Sequence, residues 1–133
     1  MFAHAYCPCS KASTEELSIV MARTQGKLDA YVFLYTPSGE SGAPSLRKTA
    51  EAIPGVTIID DPDAQTARRL GAFTSGQTLL YTPDGQLVFN GGITGSRGHS
   101  GDNTGRQTIV ARVHHQTPSV AATPVFGCSL RTE

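Results

Sequence analysis

The chain has no tryptophan, few aromatic residues of any kind (7%), and three cysteines in 133 residues. Three cysteines cannot pair completely within one monomer, so a structural disulfide framework is a poor reading. Neither charge sign is in excess, with Lys+Arg 11 and Asp+Glu 11. That removes the basic surplus that recruits nucleic acid or an anionic membrane. No stretch approaches the roughly 18–20 apolar residues of a membrane span. No basic start followed by an apolar run marks a signal peptide. As written, the chain reads as cytoplasmic. It reaches Cys7, however, directly after Met1-Phe2-Ala3-His4-Ala5-Tyr6. If that segment is a core strand, the protein begins inside its own sheet, as expected where an upstream signal or anchor is lost, so an extracytoplasmic location stays open. Internal repeats are absent. So is the Gly-x-Ser-x-Gly elbow of a Ser-His-Asp hydrolase.

The length suits one domain and is enough to bury a core without staples. Phe2–Tyr6 reads as a short strand, and Lys11–Gln25 as a helix stopped by Gly26. In that helix Ser10–Thr14 supplies N-cap candidates and Glu15 and Glu16 sit in the first turn. Ala30–Tyr35 is an unbroken apolar strand, 37–42 a loop, and Pro44–Ile53 a helix ended by Pro54-Gly55. Val56–Asp60 is a β-branched strand, and Asp61-Pro62-Asp63 caps a helix over Ala64–Leu70. Gln77–Tyr81 and Gln86–Phe89 flank Thr82-Pro83-Asp84-Gly85, a specific hairpin signal. A glycine-rich loop, Gly91–Arg106, precedes a helix around Thr108–Val113, and Gln116–Thr123 reads as a flexible tail. Helices alternate with strands until a terminal hairpin, which predicts an α/β domain with a mixed sheet.

Chemistry concentrates at Cys7-Pro8-Cys9, the turn from the first strand into the first helix. Free backbone N–H groups and the positive end of the helix dipole favour a thiolate there, the reactive form of cysteine. His4 and Lys11 lie close in sequence and can add positive charge. The same atoms suit a soft metal: Cys7 and Cys9, with Cys128 or His4 as a third ligand, would take Cu(I) or Zn(II). The Gly91–Arg106 loop lacks the Gly-Lys-Ser/Thr ending of a Walker A loop and is no Rossmann fingerprint. It either packs on the sheet end or brings Arg97 and His99 into a pocket near the cysteines. Asp61 and Asp63 read as caps, Arg68 and Arg69 as a solvated helix face, and Tyr31, Phe33 and Tyr35 as core.

In this order the elements resemble a thioredoxin-fold protein of the TlpA/redoxin type over roughly residues 2–113. The likeness rests on the Cys-Pro turn, on Ile58-Ile59-Asp60-Asp61-Pro62-Asp63 with Ala67–Thr74, and on Thr78–Val88. Within the class, RedB-type thioredoxin-like proteins are similar in their Cys-Pro-Cys-Ser turn and glycine-rich loop. The resemblance implies a three-layer α/β/α fold whose mixed central sheet ends in an antiparallel hairpin. It sets a thioredoxin-like domain at 1–115 and a C-terminal tail at 116–133 carrying Cys128. It also implies thiol–disulfide exchange with a protein or small-molecule thiol or disulfide, and no cofactor. Cys7, in the family's first-cysteine position, is then the nucleophile, Cys9 the resolving thiol and Cys128 the second candidate for that role. Pro8, Ser10, Ser75, Gly76, Arg97 and His99 would line the substrate groove.

Two departures stand out. Family members space their cysteines Cys-x-x-Cys, whereas here Ser10 holds the second place. Their cis-proline falls near Ser75-Gly76-Gln77, where its absence leaves room for a ligand or metal. Beside the oxidoreductase reading therefore stand a Cu(I)- or Zn(II)-binding or delivery protein and a non-catalytic interaction domain, since a fold alone confers no activity.

Overall fold

The computed structural model describes residues 1–37, 45–117 and 120–130. The chain runs β1 (Phe2–His4), α1 (Pro8–Arg23), β2 (Ala30–Tyr35), α2 (Ser45–Glu51) and β3 (Val56–Asp60). A 3-10 turn (Pro62–Ala64) and α3 (Gln65–Arg69) follow, then β4 (Thr78–Tyr81), β5 (Leu87–Gly91) and α4 (Thr104–Val113). β1, β2 and β3 are parallel neighbours in that order, with Phe2 opposite Phe33 and Val32 opposite Ile58. β4 and β5 form the antiparallel hairpin, with Leu80 opposite Phe89. The two sheets join through Phe2, whose N–H donates to Gln77 O (2.9 Å) and whose carbonyl accepts from Gly76 N (2.7 Å). β1 thus lies between β2 and the run into β4, the central place in a mixed sheet.

Strand alternation sorts the side chains onto two faces. Ala3, Val32, Leu34, Leu80 and Phe89 pack with Leu17, Val20 and Met21 of α1, Leu46 of α2 and Ile109 of α4. Phe2 packs on the opposite face with Ala64, Ala67, Ala72 and Leu130, and Phe33, Tyr35 and Leu79 lean on that cluster. This is the three-layer, thioredoxin-like α/β/α fold. Each fully buried aliphatic or Phe side chain here contributes about 1.5–3 kcal/mol. Tyr31 departs from the core expectation: it is half exposed.

Several boundaries differ from the sequence expectation. α1 begins at Pro8, because proline at the first helical position has its φ already set and lacks only an N–H that would go unused. Cys7 is therefore the N-cap, and Glu16 falls in mid-helix, not in the first turn. α4 begins at Thr104, since the Asn103 side chain accepts from Arg106 N and caps it there. Asp61 does cap the next helix, accepting from Thr66 N (2.8 Å) and Ala67 N (3.0 Å). Asp63 does not, its φ of 55° placing it in the left-handed region inside the turn. Most of the expected 37–42 loop and Pro44 of the second expected helix lie outside the described residues.

The segment 120–130 runs back along the domain. Ala122 bridges to Asn90 and Ser129 to Thr74. Thr123 Oγ1 donates to Gly92 O (2.7 Å), and Leu130 N donates to Phe73 O (3.0 Å). Leu130 is buried, which ties this end into the α3 side of the core. Pro118 and Ser119 of the expected tail lie outside the described residues.

Candidate functional site: a two-thiol centre at the start of α1

Cys7 closes the bend between β1 and α1, with extended backbone (φ −81°, ψ 122°) ahead of Pro8. The opposite wall is supplied by the segment 120–130: Cys128 N donates to Cys7 Sγ at 3.2 Å. Burial pushes the Cys7 thiol up. The Cys128 thiol and the backbone N–H groups of Cys128, Cys9 and Ser10 outweigh it and hold its pKa below the ordinary value. Cys128 moves the other way. Its hydrogen bond to Cys7, its burial and the negative charge on Cys7 raise its pKa, against the pull of Arg97. Of the two thiols, Cys7 is therefore the one whose deprotonation the surroundings favour. Arg97 braces the far side, with Nη1 donating to Gly127 O (2.9 Å) and Nη2 reaching Cys128 Sγ at 3.9 Å.

The sequence-predicted groove residues assemble around this pair, His99 excepted. Ser10 Oγ donates to His4 O (2.9 Å) and lies 2.6 Å from Ser75 Oγ, which accepts from His4 N at 3.0 Å. The serine in the second-cysteine place thus ties α1 to the loop before β4. Gly76 has φ +96°, which proline cannot adopt, and a Cβ there would lie 2.7 Å from Ser13 Oγ. The room expected beside the missing proline is filled by these serines. Ser75 N donates to Cys128 O at 2.8 Å. Pro8 is exposed at the helix start, and Cys9 is buried in the first turn of α1. His99 is exposed on the glycine-rich loop, its backbone N–H on Ser96 O (3.2 Å), and its ring makes no hydrogen bond to a cysteine among the described residues. His4 Nδ1 accepts from Tyr6 N (3.1 Å), so that nitrogen carries no proton in this arrangement.

Among the described residues, no three His, Cys, Asp or Glu side chains are grouped to hold a metal ion. An apolar pocket of about 310 Å³ is lined both by core residues such as Leu17, Val20 and Ile109 and by exposed Tyr31, Leu70 and Tyr81, and none of the cysteines lines it.

Beneath the site is a buried ionic cluster that sequence reading misses. Glu16 is 0% exposed; its carboxylate accepts from Gly101 N (2.9 Å), Asn103 Nδ2 (3.0 Å) and Arg106 Nη1 (2.6 Å). Arg106 also pairs with Asp102, and its Nε is buried with no hydrogen-bond partner among the described residues. This cluster pins the glycine-rich loop carrying Arg97 to the helix whose N-terminus carries Cys7. The available signal was Asn-x-x-Arg ahead of an apolar helix; nothing in the sequence pairs that arginine with Glu16.

No protein-family model matches the chain, and no curated protein matches it. Solved structures do. An uncharacterized conserved protein from Geobacillus kaustophilus superposes with a TM-score of 0.70 at 19% identity, over 100% of this chain and 75% of its own. A hypothetical protein from Sinorhizobium meliloti superposes with a TM-score of 0.67 at 17% identity, over 99% of this chain and 77% of its own. At these identities the likeness is one of fold, and it spans the C-terminal segment as well as the α/β frame.

Proposed function

We propose that the chain is a thiol–disulfide oxidoreductase of the thioredoxin-like class, related to the TlpA/redoxin and RedB types, with Cys7 as nucleophile and Cys128 as resolving thiol. The observation that carries the reading is the Cys128 backbone N–H donating to Cys7 Sγ at 3.2 Å, which sets the two cysteines side by side. The Cys7 thiolate attacks one sulfur of a disulfide, that S–S bond breaks, and the other half leaves as a thiolate. Cys128 then gives up its proton, attacks Cys7 Sγ and expels the second half. Two electrons have passed from the protein pair to the substrate, and an external dithiol restores the pair.

Cys128 is preferred to Cys9 as the resolving group. A Cys7–Cys9 disulfide closes a very small, strained ring, while Cys128 already touches Cys7. The test is intact mass with thiol trapping before and after reductant, on the parent chain and three single variants. The expected result is a loss of about two mass units on oxidation, mapping to Cys7 and Cys128 and retained in Cys9→Ser. Cys7→Ser should abolish turnover, and Cys128→Ser should accumulate the mixed disulfide. Stoichiometric Cu(I) or Zn(II) in the purified protein would favour a metal-binding role instead. Thiols of ordinary reactivity with no metal would favour an inactive interaction domain.

A further inference from the structure

Taking Cys7 and Cys128 as the redox pair, we propose that the substrate is a small disulfide bearing an anionic group received by Arg97, not an extended polypeptide. An extended chain adds to an exposed sheet edge through main-chain hydrogen bonds. Beside Cys7 that edge is already taken. Ser75 N donates to Cys128 O, Phe73 O accepts from Leu130 N, and Thr74 is bridged to Ser129. Gly127 lies so close over Ser75 that a Cβ on it would be 2.1 Å from Ser75 O. The occupying segment is anchored by Leu130, 2% exposed. Cys7 is itself only 6% exposed, so approach is limited to a slim reactant.

Charge narrows the class further. Arg97 is exposed, is steadied by Gly127 O and reaches Cys128 Sγ. Arg106 spends its charge on Glu16 and Asp102, and Arg47 on Asp60. Arg97 has no carboxylate partner among the described residues. A guanidinium has five N–H donors in a planar fork, so Arg97 keeps donors free for a carboxylate. The thiolate expelled in the first step also develops its charge beside this cation. The step is the exchange already written: one small disulfide and the two protein thiols give two small thiols and the Cys7–Cys128 disulfide.

The experiment is a single-turnover reaction of the reduced full chain with three small disulfides. These are 3,3′-dithiodipropionate (anionic), 2-hydroxyethyl disulfide (neutral) and cystamine (cationic), each rate divided by that of 2-mercaptoethanol with the same reagent. The expected order is anionic, neutral, cationic. Arg97→Gln should lower the anionic-to-neutral ratio about tenfold, as loss of one charge-assisted hydrogen bond implies, and Arg97→Lys should restore part of it. A merely structural role for Arg97 would slow all three alike. A flat order in the parent chain, an order that survives Arg97→Gln, or faster reaction with oxidised, unfolded ribonuclease than with the dianion would overturn the proposal. No reaction with any disulfide, or undiminished reaction of Cys7→Ser, would overturn the oxidoreductase reading and this one with it. Matched rates with all three would overturn this one alone.

Discussion

Replacing Glu16 by alanine should remove a large share of the domain's stability. The carboxylate is fully buried and satisfies three donors: Gly101 N, Asn103 Nδ2 and Arg106 Nη1. Without it the Arg106 guanidinium, 2% exposed, keeps Asp102 as its ion-pair partner, and that carboxylate is largely in solvent. Gly101 N–H is left bare, while Asn103 Nδ2 keeps Gly101 O. Breaking a buried pair by removing one member costs about 3–5 kcal/mol, against a total of about 5–15 kcal/mol for an ordinary domain. With a urea slope of roughly 2 kcal/mol per molar, the midpoint should fall by about 2 M. With no tryptophan to report, far-UV circular dichroism is the suitable probe. Arg106→Met alone should be similarly damaging. The double variant Glu16→Leu with Arg106→Met should recover much of the loss, because it leaves neither charge buried. A cost below about 1 kcal/mol for Glu16→Ala, or a double variant as weak as the sum of the singles, would refute the reasoning.

Gly127→Ala should lift the segment off Ser75, because the new methyl meets backbone that cannot give way. Cys7 should then alkylate faster with iodoacetamide in peptide-mapped trapping, and the pH at half-maximal rate should rise as the Cys128 donors leave. In the parent chain that half-maximal pH should lie below the ordinary thiol value, the direction in which Cys7 is shifted. A folded-state pKa depressed in this way contributes stability above the unfolded pKa, and that stability is lost as pH falls through the folded value. Cys7→Ser should flatten that part of the urea-midpoint profile, and an unchanged profile would count against a folded-state thiolate.

The frame was readable because its signals are local. Ala30–Tyr35 and Val56–Asp60 are unbroken apolar or β-branched runs, and both match the observed strands residue for residue. The Pro-Asp-Gly turn fell where Gly85 takes φ +92° and its N–H meets Thr82 O. Helix starts were less legible. Pro8 and Asn103 each begin a helix ahead of its apolar repeat, so periodicity placed α1 and α4 several residues late. The site was legible in its residue types more than in its pairings. Cys7, Ser10, Ser75 and Gly76 lie near one another as their motif positions suggest, while Arg97 joins them from a loop that the sequence left open between two readings, and without His99. Which cysteine faces Cys7 depends on a contact spanning 121 positions, and no local pattern encodes it. Glu16 with Arg106, 90 positions apart, was hidden for the same reason.

The return of the segment 120–130 to the start of α1 has a topological consequence. A bond between Cys7 and Cys128 would turn the chain between them into a covalent ring, with 121 positions separating the joined residues. Chain-entropy arguments put the effect of closing a loop of about 100 residues near 4.7 kcal/mol, felt mainly as a restriction of the unfolded ensemble. The oxidised protein would then be a ring that a threading protease cannot draw through its pore as a single strand, while the reduced protein would be an ordinary string. Turnover and lifetime would be governed by the same two sulfur atoms.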